Sequence, residues 1–388
     1  MLAFSSANKI GIINADGSGE RYLDFPIPGQ ARWALGPAFP DGRRSILTSY
    51  EDLTISNLVM GNVWTHTWVY DWDSGDLQEI LLQERLAPFQ YCHTVLPGGQ
   101  RLVVNAVLQG EERIFTLNLD GSQPHELTRP AEGFCYGVSL NPAGDRLAFH
   151  VTGSKIASQA EPPWFRPGPY SINTLGVDGQ NRILVAGQAG HLYFGPLWSP
   201  DGNWLVYLDC HCETDPAHFW ADLCLGRADG SAHQVITHRQ SHWFGTTFGP
   251  KENRGGGSNL SGWTPDGQWV LYTRVAPGSH PDCDYHAELP DHCECVYNPA
   301  AARGGSQICL LNPFTGEVKE VTAYEEHRWD FRASCAPDGR QIVFTRAWLD
   351  QTSELWAVDR DGGGERLLSR GWQGMGADAG RWLMSCGK

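Results

Sequence analysis

The chain concentrates its imidazole, thiol, guanidinium and indole groups in a few short stretches. Ser241 to Asn259 holds His242, Trp243, Asn253, Arg254, three consecutive glycines (Gly255 to Gly257) and Asn259. An imidazole is a base near neutral pH, a guanidinium grips a carboxylate through two parallel hydrogen bonds, and an indole stacks on a sugar ring. Glycines let a ligand approach the backbone closely. No GxxxxGK[ST] phosphate loop accompanies them. The stretch reads as a saccharide-binding wall with His242 and Arg254 as polar anchors, or as a glycine-rich loop packed on its own aromatics.

Two further stretches carry metal-ligand chemistry. Cys210, His211, Cys212 and His218 lie between Asp209 and Asp222, and His292, Cys293 and Cys295 lie further on. Two Cys-X-Cys pairs with a histidine would complete four ligands around a divalent ion such as Zn²⁺ or Mn²⁺. Neighbouring residues of a strand point to opposite faces, so not all of them can reach one ion. A disulfide from Cys283 to Cys293 or Cys295, or unconnected thiols, are the other readings of the same residues.

Other candidates line the loop ends of predicted strands. Trp164, Phe165 and Tyr170 follow a proline-stiffened segment, and Trp64, His66 and Trp68 are spaced to share one face of a hairpin. His93, Tyr136, His191, Tyr193, Trp329, Asp330 and Arg332 fall where inner strands begin. Buried charge is costly unless paired. A local Asp330–Arg332 contact is therefore one expectation, and a ligand contact the other.

A repeated turn must position these groups. It reads Pro40-Asp41-Gly42, Pro97-Gly98-Gly99, Pro142-Ala143-Gly144, Pro200-Asp201-Gly202, Pro265-Asp266-Gly267 and Pro337-Asp338-Gly339, with a weaker copy at Ala377-Asp378-Ala379-Gly380. Proline presets φ, aspartate bonds back to the backbone, and glycine takes the positive φ. A second series interleaves: Asp16-Gly17, Ser74-Gly75, Asp120-Gly121, Asp178-Gly179, Asp229-Gly230, Thr315-Gly316 and Asp361-Gly362. Two hairpins per unit make four strands. The expected fold is all-β: one domain over residues 1–388, a seven-bladed β-propeller closed by both termini. The shortest turn-to-turn interval is about 22 residues and the longest about 49. The extra length falls in blades 1, 3, 4 and 5, in connections on the face opposite the turns. That face is the expected working side.

Composition sets bounds. Net charge is −15, and no Lys/Arg run could track a phosphate backbone, so nucleic acid is not an expected partner. No apolar run approaches a membrane span. The first residues lack the pattern of a secretory leader, so a soluble, cytoplasmic protein is expected. Eleven cysteines in a long chain do not suggest a complete disulfide framework.

The phrases Leu197-Trp198-Ser199-Pro200-Asp201-Gly202 and Gly262-Trp263-Thr264-Pro265-Asp266-Gly267 resemble the TolB-like propeller repeat, and the resemblance covers nearly the whole chain. The one-sided His/Arg loops resemble those of the oligogalacturonate lyase group, which implies uronide cleavage with a His-held metal and a His base. That group's His-Pro-His-Pro phrase has no match. The corresponding stretch runs Trp329-Asp330-Phe331-Arg332-Ala333-Ser334-Cys335, so the group's ligands are not carried over. Other propeller lyases, which use Arg, His and Tyr, resemble this chain better. The expected function is β-elimination of uronic-acid-containing oligo- or polysaccharides. Arg254 or Arg332 would hold the carboxylate, His242, His211 or His93 would be the base, and Tyr136 or Tyr193 the acid. Trp243, Asn253, Asn259, Trp164, Trp329 and Asp330 would bind the sugar. The alternatives are a non-catalytic platform for a glycan or protein, and a glycoside hydrolase using Asp209, Asp222, Glu252 or Asp330.

Overall fold

The Pro-Asp-Gly phrases fold as their residues dictate. The aspartate carboxylate accepts the N–H two residues on: Arg43 to Asp41 at 2.9 Å, and Asn203 to Asp201, Gln268 to Asp266 and Arg340 to Asp338, each at 3.0 Å. The closing glycines of these four turns have φ between 67° and 72°. The second series repeats the device, with Ser18 on Asp16, Ser122 on Asp120 and Ser231 on Asp229. The computed structural model describes residues 1–6, 9–30, 32–50, 65–80, 90–108, 111–129, 134–152, 170–211, 220–241, 262–279, 283–285, 295–297, 300, 302–348, 353–372 and 381–383. The seventh Pro-Asp-Gly-like copy, at 377–380, lies outside them.

Between the turns the chain forms antiparallel sheets of four strands in sequence order. One contains Leu192–Trp198, Trp204–His211, Trp220–Arg227 and His233–Val235. Three others follow the same order. An eight-stranded sheet consists of two such sets joined by a single parallel pair, Ser306 with Trp329. The terminal sheet is mixed in origin: strand Leu2–Ser6 pairs with Lys9–Ile13 on one side and with Arg381–Trp382 on the other. The N-terminal strands and the last strand therefore share one sheet. The described residues are all-β, and no helix among them is long and apolar enough to cross a membrane.

Both faces of each sheet are buried, so the side chains of a strand are apolar on both sides. From the sheet of residues 192–235, Phe194, Leu208, Cys210 and Leu223 pack against Val270, Tyr272 and Cys309. Tyr193, Leu205, Tyr207 and Cys224 pack the other way, against Ala148, Ile172 and Val185. Leu2, Phe4 and Ile13 pack on Val343, Leu355 and Ala357, while Ile10 meets Trp33, Leu47 and Trp68. Each fully buried Leu, Val or Phe contributes roughly 1.5–3 kcal/mol. With both faces apolar, exposed polar side chains collect at strand ends.

The main exception is a buried charge network. Arg346 forks onto Asp330 through Nε and Nη2 at 2.6 and 2.8 Å, and onto Glu365 through Nη1 at 2.7 Å. Asp330 is fully buried and Arg346 nearly so. This corrects the expected Asp330–Arg332 contact. A β-bulge between Phe331 and Ser334 interrupts the alternation, and Arg332 sits in it with φ of 51°. Gly137 and Gly195 occupy matching bulges of other sheets with φ of 65° and 62°.

The turn carboxylates make stability depend on pH. Serine hydroxyls and N–H groups hold Asp16, Asp120 and Asp229 below the usual carboxylate range. Arg43 and the Ser74 N–H pull Asp71 down from 3.8 to about 2. A depressed folded-state value stabilises the fold above the unfolded value, and that stability is lost as pH falls through the folded one. Thermal melts should therefore show the midpoint falling from about pH 4 towards about pH 2. Asp71→Asn should lose stability at neutral pH and show a shallower fall. A parallel fall in the variant would contradict the assignment.

Candidate functional site

A polar cluster lies at one end of the sheet of residues 192–235, opposite the Pro-Asp-Gly and Asp-Gly turns. Strand alternation builds it. In Trp204–His211, Tyr207, Asp209 and His211 face one side, while Leu208 and Cys210 face the other. Register then stacks the rows: Tyr193 pairs with Asp209 and Asp209 with Asp222, and one step further out His211 pairs with Trp220. His191 immediately precedes the inner strand and stacks on Tyr193, with ring centroids 5.4 Å apart and planes at 7°.

Asp209 is the hub. Its carboxylate is 2.7 Å from His191 Nδ1, accepts the Leu192 N–H at 3.3 Å, and lies 3.6 Å from His211 Nε2. A carboxylate at this place accepts from Nδ1–H, and that tautomer of the neutral ring leaves the lone pair on Nε2. The His191 and His211 side chains are 35% and 32% exposed, against 2% for Asp209. Two reachable imidazoles thus share one sequestered carboxylate.

Asp222 supports the outer half. Its Oδ1 accepts Thr237 Oγ1–H at 3.0 Å and the Arg239 N–H at 2.6 Å. Its Oδ2 is 4.0 Å from His211 Nε2. Burial pushes the Asp222 carboxyl up, and these hydrogen bonds oppose the shift. Trp220 stacks on His211 at 3.8 Å and 13°, and the exposed Arg239 places its guanidinium 4.7 Å from the Trp220 ring centre.

The residues expected from sequence distribute unevenly. His211 joins the cluster, but Cys210 does not: it is 2% exposed and packs in the apolar core on the opposite face. Tyr193 lies beneath His191, fully buried, with its hydroxyl 3.4 Å from Gln188 Oε1 and from His233 Nε2. Tyr207 also bonds His233, on Nδ1. Burial raises both tyrosines and lowers His233. Tyr193, expected as an acid, is thus placed beneath His191 with its hydroxyl on Gln188 and His233. Trp329 and Asp330, expected to bind sugar, are core residues at 1% and 0% exposure, and Arg332 is at 7%. His93 and Tyr136 lie on strands Gln90–Val95 and Phe134–Leu140. His242, Trp243, Asn253, Arg254, Asn259, Trp164, Cys212, His218, His292 and Cys293 lie outside the described residues, as does Trp64. His66 and Trp68 do share a face and stack at 6.2 Å.

His191 and the carboxylates Asp209 and Asp222 were visible in the sequence as loop-end residues. Their association was not. Arg239 and Trp220 carried no signal beyond their residue types. Among the described residues no group of three or more His, Cys, Asp or Glu side chains is arranged to hold a metal ion. Among the described residues, Cys224, Cys309 and Cys335 are free thiols.

No protein-family model matches the chain, and no curated protein matches it. Solved structures do. The β-propeller domain of the trilobed protease from Pyrococcus furiosus aligns over 93% of this chain and 86% of its own, with TM-score 0.52 and 11% identity. The fold is a β-propeller. An oligogalacturonate lyase solved in complex with manganese aligns over 95% of this propeller and 84% of its own chain, with TM-score 0.59 and 13% identity. A putative TolB from Agrobacterium tumefaciens aligns over 97% of this propeller and 92% of its own chain, at 13% identity and TM-score 0.46. At these identities the likeness is one of fold.

Proposed function

We propose that this propeller is a carbohydrate lyase that cleaves uronate-containing oligo- or polysaccharides by β-elimination, with His191 as the base. The observation that carries the reading is the half-exposed His191 held through Nδ1 on the buried Asp209, with His211 beside it. His191 Nε2 takes the proton on C5 of the uronate. The C5–H electron pair forms the C4–C5 double bond, the C4–O bond breaks, and the departing oxygen takes a proton from His211. Asp209 stabilises the imidazolium that forms on His191, as an oriented carboxylate does in other histidine-based catalysis.

Several features support the setting. Seven four-stranded sets, packed face to face in succession, and the pairing of Leu2–Ser6 with Arg381–Trp382 favour a seven-bladed ring closed by both termini, one domain over residues 1–388. The long connections of blades 1, 3, 4 and 5 would border the His191 side. A net charge of −15 without a basic run favours a saccharide over nucleic acid as partner. The oligogalacturonate lyase with manganese raises the question of a metal. The described residues do not fit one, so no step is routed through it. Of the carboxylates of the hydrolase reading, Asp209, Asp222 and Asp330 are at most 4% exposed and already bonded, and Glu252 lies outside the described residues.

The test is a panel of uronate-containing glycans, with product followed both by the ultraviolet absorbance of an unsaturated uronide and by new reducing ends. Both signals together on at least one glycan are expected. Reducing ends without unsaturation would assign hydrolysis instead, and binding without either signal would assign a non-catalytic platform.

A further inference from the structure

Arg239 is one of five described non-glycine residues with a positive φ, at 52°. A side chain in this region is strained and persists only where the surroundings over-determine it. Here they do so from two sides. The buried Asp222 accepts the Arg239 N–H at 2.6 Å, and two residues on Ser241 pairs with Ala221 through N–H···O bonds of 2.9 and 3.2 Å. Asp222 is itself fixed by Thr237, whose Oγ1 accepts the Leu223 N–H at 2.8 Å. A glycine would satisfy this turn without strain, yet the position holds an exposed arginine whose guanidinium lies over the same Trp220 ring that stacks on His211.

We infer that Arg239 is the specificity-determining cation for the substrate carboxylate, and that Asp222 is the positioning residue that holds it in its strained conformation. The inference rests on the lyase reading and deepens it. The exposed Arg239 places its guanidinium over the Trp220 ring, which also stacks on His211, at the solvent edge of the cluster. A guanidinium there grips a carboxylate by two parallel hydrogen bonds and favours the negative charge that develops next to it as the C5 proton leaves. The Trp220 face holds the guanidinium plane by cation–π attraction. The clamp is a backbone bond, so the charge of Asp222 is not what positions the arginine. An amide oxygen at the same place would accept the same N–H.

The experiment is a binding titration in the His191→Ala background, so that the probe is bound without turnover. The probes are digalacturonate and its uncharged methyl ester, and the readout is the ratio of their affinities. The parent is expected to prefer the acid by tenfold or more. Arg239→Gly should abolish the preference while its melting temperature stays level or rises, because glycine adopts this φ freely. Asp222→Ala should lose the preference with Arg239 still present, and Asp222→Asn should retain it. An acid preference that survives Arg239→Gly would overturn the inference and leave the lyase reading standing. Failure of the parent to bind either probe would count against the lyase reading itself. Equal loss of both probes in Asp222→Ala, with the ratio unchanged, would reduce Asp222 to a structural residue and overturn its positioning role.

Discussion

Asp330→Ala should lower the free energy of unfolding by about 3–5 kcal/mol, the largest single-site effect on stability expected in this protein. The substitution leaves Arg346 in the core with its fork half empty. Burial alone would depress the Arg346 guanidinium, and its bonds to Asp330 and Glu365 hold it above its ordinary value. Glu365 remains after the substitution, but its side chain is 34% exposed and cannot replace a fully sequestered partner. Removing both charges is a different matter. Asp330→Leu with Arg346→Met replaces a desolvated pair by apolar side chains lying near Phe344 and Trp356, and most of the lost stability should return. Urea unfolding of the two variants checks this. A single variant as stable as the parent would show that the pair contributes little.

His191→Ala should lower the turnover of uronide cleavage by about 10²–10⁴-fold, the range over which a positioned base contributes. Some stability should be lost as well, because removing the ring takes the 2.7 Å donor from the buried Asp209 carboxylate, so rates are compared at temperatures where the variant is folded. Asp209→Asn should cost activity through the tautomer. An amide can donate to Nδ1, which places the proton on Nε2 and removes the lone pair that the base needs. His211→Ala should act on the second half of the reaction, so the loss should be smaller for substrates with a good leaving group. Initial rates of the three variants on glycans differing in leaving group separate these roles. Equal losses on every substrate would merge His191 and His211 into one function.

The fold was legible because its signal is local. A Pro-Asp-Gly turn is specified by three adjacent residues, and the carboxylate bond that braces it spans only two residues. The site was legible only in part because its bonds cross strands. His191 meets Asp209 across 18 residues, and Asp222 meets the Arg239 N–H across 17. The alternation Asp209-Cys210-His211 already separated the imidazole and carboxylate from the thiol, and the structure places Cys210 in the core accordingly. Asp330 shows the opposite case. Its neighbour in sequence, Arg332, was the natural partner to expect, but a bulge breaks the alternation between them. The fork comes instead from Arg346, directly across the ladder. Arg239 had no sequence signal at all, because what distinguishes it is a backbone angle.

In the proposed reaction His191, oriented by Asp209, removes a proton from a uronate. The most direct measurement is the ultraviolet absorbance of unsaturated product during incubation of oligogalacturonate with the parent protein and with His191→Ala, at matched concentration and confirmed folding. A steady rise is expected with the parent and a rate at least about a hundredfold lower with the variant. Equal rates from the two proteins, or no unsaturated product from the parent, would contradict the proposed reaction.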